Sequence, residues 1–283
     1  MKPYQQVIAA TIPTLAALTM LSPHGVVITF LIFGNAHVLL AYLYQYRAGK
    51  IDAAYHKRFL FSVFGIGVFL LLTDFSLPLL TFVTAIVFMA HAMFDEIYLL
   101  RIPKNLLLIC AALPVSLLYV VPLSDKLLGT ALSGYAFIAS IICAAVYVVG
   151  TLWKRSLIYG GIWMVVLGMI LLVAVMFYDL SAEKLLGSII LFHYARWLVF
   201  YGDKYWRTPR FLPYVRDVVW MHGLIAALFL WYTFYAGLGH TVLAVFFTET
   251  GFYIVTLLHV FSTSRASDYQ IAVSIPYLFR HRD

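Results

Sequence analysis

The apolar stretches of this chain are interrupted by a few side chains that ionise: His37, His91, Asp95, Glu96, His193, Arg196, His222, Glu249 and His259. Such groups are costly in hydrocarbon, so they turn toward a protein interior, pair with one another and mark functional sites. His91 and Asp95 are four positions apart, one turn along a single helix face. An imidazole and a carboxylate at that spacing can share a metal ion, or the carboxylate can fix the ring tautomer from behind. Glu96 is rotated away and reads as a solvated carboxylate near a helix end. His193 and Arg196, three apart, also share a face. A guanidinium cannot shed its proton, so Arg196 requires a carboxylate or an anionic ligand, with Asp95, Glu96 and Glu249 as the candidate partners.

The histidines share a depth. His37 lies ten residues before Arg47, His91 ten before Arg101, and His193 eleven before Lys204. His222 follows Arg216 by six, and His259 precedes Arg265 by six. At 1.5 Å rise per residue these offsets correspond to depths of about 9–17 Å below one membrane face. The expected site is therefore His37, His91, His193 and His259 with Asp95, holding a metal, and His222 in reserve. Asp95 and Arg196 are the candidate catalytic groups. His24, His56, His240 and His281 fall in turns or tails and read as solvated rings.

Several imidazoles with a carboxylate suit iron before zinc, and no thiolate is close: Cys110 and Cys143 lie in apolar interiors as packing residues. Iron would activate dioxygen for desaturation, hydroxylation or oxidative cleavage of a lipid or isoprenoid. Zinc would activate water against a lipid amide or ester, with Asp95 as base. A b-type haem held by two histidines, a proton- or ion-coupled transporter and a non-catalytic membrane subunit are the competing readings. The HxxxH and HxxHH boxes of membrane desaturases and hydroxylases do not occur in this sequence.

These residues need scaffolding, and the composition says which kind. Of 283 residues, 64% are hydrophobic and 11% charged, too few charges to coat a water-facing surface. Disordered chains, disulfide scaffolds and ordinary soluble enzymes are excluded. The expected fold is all-α: one transmembrane domain over 1–283, with helical spans near 6–22, 25–46, 58–74, 77–100, 105–122, 127–152, 157–179, 184–206, 216–238 and 241–264. The first span follows Lys2 as a signal peptide would, but no small-residue cleavage site follows, so it is read as a helix.

The net charge of +7 is distributed by side of the membrane. The segments holding Lys2, Arg47–Arg58, Arg101–Lys104, Lys154–Arg155, Lys204–Arg216 and Arg265–Arg282 contain nearly all of the 19 basic residues. The opposite turns hold Lys126 and Lys184 with Asp74, Asp125, Asp179 and Glu183. This asymmetry predicts ten spans with both termini cytoplasmic. The expected location is a bacterial inner membrane. It also accounts for the basic balance without nucleic acid. The expected partners are membrane lipids and a lipid-soluble substrate.

Overall fold

The computed structural model describes residues 1, 3–99, 117, 119–153, 181–235 and 238–263. The span expected at 157–179 and most of that at 105–122 lie outside the described residues. Among the described residues the chain is all-α, with no strand. We label the helices α1 (Pro3–Met20), α2 (Pro23–Arg47), α3 (Ala53–Leu72), α4 (Leu77–Leu99), α5 (Ser133–Trp153), α6 (Ala182–Tyr205), α7 (Phe211–Phe234), α8 (Leu238–Phe247) and α9 (Glu249–Thr263). Four of them, α2, α3, α6 and α7, are long and apolar enough to cross a membrane, and α8 with α9 makes a fifth if the bent pair is one span.

The helix starts follow local chemistry. Ser22 accepts from Gly25 N–H and Pro23 opens the first turn of α2. Asp52 accepts from Tyr55 N–H at 2.7 Å to begin α3, and that bond holds its carboxyl below the usual range. Ser181 caps α6 at Lys184 N–H. The last turn of α2 ends at Gly49, whose φ of +65° suits a residue without a Cβ.

The chain divides into two compact units. The first comprises Met1–Phe88 and Ser181–Thr263. In it α1 lies along α6, α2 packs on both α6 and α7, and α3 packs on α9. Close approach depends on two glycines. A Cβ at Gly187 would stand 2.3 Å from Val26 Cγ1, and one at Gly34 would stand 2.6 Å from the Phe252 ring. Small residues let helix backbones come together where lipid supplies no hydrophobic drive. The outward faces are apolar: α3 exposes Leu60, Phe61 and Phe64, and α7 exposes Val219, Trp220 and Trp231. Such a surface suits lipid rather than water.

Where the sequence predicts one span over 241–264, the structure has two helices, bent by 67° at Thr248. The Thr248 hydroxyl donates to Ala244 O and accepts from Gly251 N–H, closing a local turn in place of a helical one. Gly251 is pressed so tightly onto Val245 O that a Cβ would sit 2.2 Å from it. Asn35 of α2 donates to Phe246 O at 2.7 Å, supplying a partner to a carbonyl near the break.

The second unit comprises Met89–Leu180 and Ser264–Asp283. Its described part shifts one expected boundary. Residues 119–128 are helical and the turn before α5 falls at 129–132, not at 123–126. Gly129 adopts φ +68°, and Asp125 Oδ1 accepts from Thr130 Oγ1 and Leu132 N–H, so the carboxylate closes the turn from the helix that precedes it.

Candidate metal centre

Helices α2, α6 and α9 of the first unit bring three of the expected histidines together. The His37 ring stands 5.3 Å from the His193 ring, centre to centre, and 5.9 Å from the His259 ring. The interplanar angles are 83° and 80°. His37 and His193 are buried, at 7% and 4% exposure. Aromatic rings enclose them: Trp197 and Tyr194 lie edge-on to His37 at 5.1 and 5.6 Å, and Phe88 lies 5.2 Å from His193.

Those separations can be tested against coordination geometry. With metal–nitrogen bonds of about 2 Å, each imidazole centre stands about 3 Å from the ion, so two tetrahedral ligands lie about 5 Å apart. The His37–His193 centre distance is of that order and the His37–His259 distance is longer. Ring centres do not fix where the nitrogens point, and neither His37 nor His259 belongs to a group of donor atoms lying within 4.8 Å of one another among the described residues. Imidazoles on opposite faces of a haem would lie more than about 6 Å apart, with the macrocycle between them. Two rings 5.3 Å apart and edge to face leave no plane for a macrocycle.

His222 stands at one remove. Its Nδ1 bonds Val218 O at 2.6 Å, and its Nε2 is engaged by the Tyr194 hydroxyl. With Nδ1 as donor to a carbonyl, Nε2 is the acceptor, so Tyr194 donates and both ring nitrogens are used within the protein. Tyr194 thereby joins His222 to the ring cluster around His37.

His91 and Asp95 belong to the second unit. Their Nε2 and Oδ2 atoms are 3.8 Å apart on one face of α4, and both side chains are partly buried. The pair thus offers an imidazole nitrogen and a carboxylate oxygen within 4.8 Å of each other. The side chain of Glu96 lies outside the described residues.

Arg196 is fully buried, and its Nη1 donates to Gln6 Oε1 of α1 at 2.9 Å. Gln6 Nε2 in turn donates to Asp203 Oδ2 at 2.8 Å. The amide is a polar bridge between a buried cation and a carboxylate two turns further along α6. Sequence reasoning missed Gln6 and Asp203. The seven-residue interval from Arg196 to Asp203, which returns to one helix face, is the signal that was available. Glu249, another candidate partner for Arg196, accepts from the Tyr253 hydroxyl at 3.2 Å in the first turn of α9.

No protein-family model, curated protein or solved structure matches this chain. The chemistry of the site must therefore carry the functional reading.

Proposed function

We propose that this chain is a membrane-embedded, metal-dependent enzyme, an iron oxidoreductase of the oxygenase, hydroxylase or desaturase type acting on a lipid-soluble substrate. The observation that supports this reading is the gathering of three buried or half-buried imidazoles, His37, His193 and His259, with ring centres 5.3 and 5.9 Å from His37, which a modest turn of the rings would bring to ligand spacing. His91, Asp95 and His193 carry donor atoms suited to a metal ion, and we include His91 and Asp95 among the donors. Such a donor set, mostly nitrogen with one oxygen and no sulfur, suits iron and admits zinc. Iron would activate dioxygen for attack on an unactivated C–H bond, with the two electrons of each hydroxylation or desaturation drawn from an external reductant.

The protein's own part is positional. The helices fix the imidazoles, and Trp197, Phe88 and Tyr194 surround the cluster with aromatic rings that limit water. Arg196, held through Gln6, stands one turn from His193 and provides a positive charge for an anionic substrate group. The charge asymmetry supports ten spans with both termini cytoplasmic, and we place the chain in a bacterial inner membrane. A zinc hydrolase, with Asp95 as base, is the nearest chemical alternative.

Ion-coupled transport is a second reading with one observation in its favour: the break between α8 and α9, of the kind at which discontinuous helices hold ions. Elemental analysis of the detergent-purified full chain separates these readings. Iron at about one or two per chain is the expected result, and about one zinc per chain points to hydrolysis. A protein purified without chelators and free of transition metal overturns the enzyme reading and leaves transport.

A further inference from the structure

Helix α3 carries an unfilled feature on its outer side, within the first unit. A groove of about 540 Å³ runs between α3 and α9, lined by Arg58, Ser62, Gly65, Phe69, Leu257 and Phe261 among others. Only Arg58 and Ser62 of its lining are polar. A second groove, headed by His56 and Lys57, adjoins it across Phe61, so the basic groups gather at one end of an apolar channel. Leu257 and Phe261 lie on the side of α9 away from His259, two residues from each, so the groove is distinct from the imidazole cluster.

Arg58 is arranged to receive an anion. Its Nε donates to Ser262 O at 3.1 Å, which fixes the plane of the guanidinium. Asp52 feels its charge but accepts from Tyr55 N–H, and no ion pair with Arg58 forms among the described residues. A guanidinium fork with its Nη groups available matches phosphate in a two-point bond. The apolar length fits as well. From Arg58 to Phe69 is eleven helical residues, about 16 Å, which is close to half of the roughly 30 Å hydrocarbon core and so to the depth of one leaflet. At Gly65 nothing lies within 4 Å of where a Cβ would stand, so the groove is open at its middle.

We propose that this groove is a binding site for one anionic phospholipid, with its phosphate on Arg58 and an acyl chain laid along α3 and α9. The site is independent of the metal reading and of the reaction. Its occupant is a bilayer lipid, selected by charge at one end and held by apolar contact over a leaflet's depth.

Native mass spectrometry of the full chain in detergent, with added phosphatidylglycerol or phosphatidylcholine of identical chains, tests the assignment. One basic residue near a membrane surface is worth about 1 kcal/mol toward anionic lipid, so phosphatidylglycerol should be retained about fivefold better. Arg58→Gln should abolish that preference and Arg58→Lys should keep part of it. Gly65→Leu should fill the groove and lower retention of both lipids, with Arg58 untouched. Equal retention of the two lipids by the wild-type chain overturns the proposal, as does unchanged retention in Gly65→Leu. Should Arg58→Gln fail to fold through loss of the Ser262 contact, Gly65→Leu decides alone.

Discussion

His37 of α2 and His193 of α6 face each other across a helix interface, ring centres 5.3 Å apart and planes at 83°. That separation suits an aromatic edge contact and also suits two ligands on one metal ion. Removing one ring distinguishes the two roles, because a packing contact loses stability whereas a ligand loses the ion.

His37→Ala and His193→Ala should each lower metal content of the purified protein by at least about tenfold, while size-exclusion profiles stay monodisperse. His24→Ala, at an exposed position near the start of α2, should leave metal content unchanged. Plasma mass spectrometry supplies the readout. Undiminished metal in both cluster variants would show that the rings merely pack.

Gln6→Leu removes an amide that accepts from buried Arg196 and donates to Asp203. Lost partners of buried polar groups cost about 1–3 kcal/mol, and more when a charge is involved. Thermal denaturation in detergent should show a lower midpoint, and Arg196→Leu should damage folding or activity more than Arg196→Lys. An unaltered midpoint for Gln6→Leu would remove the bridge from the account of Arg196.

Gly187→Ala places a Cβ against Val26, which is buried at 0% exposure, and overpacking of this kind costs about 1–3 kcal/mol. Gly223→Ala is the matched control on α7, where nothing lies within 4 Å of the new Cβ. Denaturation midpoints should fall for the first and hold or rise for the second. Equal midpoints would mean that α2 and α6 are not in close contact at Val26.

Topology mapping completes the set. A reporter inserted in the 129–132 turn should report the side opposite to tags at the two termini, which should both face the cytoplasm. Insertion belongs in that turn because Asp125 lies within a helix and braces the turn through Thr130 and Leu132. Termini on opposite sides would give an odd number of spans and undo the shared depth of the histidines.

The sequence by itself determined the helical class and most helix limits, because backbone polarity in an apolar chain leaves few alternatives and the caps at Ser22, Asp52 and Ser181 are local. It also singled out His37, His193 and His259, since an ionisable group in an apolar stretch is visible without a fold. Only the tertiary structure decided which faces meet. The distances from His37 to His193 and His259 depend on how α2, α6 and α9 approach, and Gly34 and Gly187 permit that approach through neighbours far away in sequence. The Gln6–Arg196 bond spans 190 residues, and the break at Thr248 is supported by Asn35 from α2, 211 residues from its acceptor Phe246. Local propensity carries no information about such partners. Hydrogen bonds of that reach exist only once the helices have packed, and the packing chose Gln6 for Arg196 and an interrupted helix for the last apolar stretch.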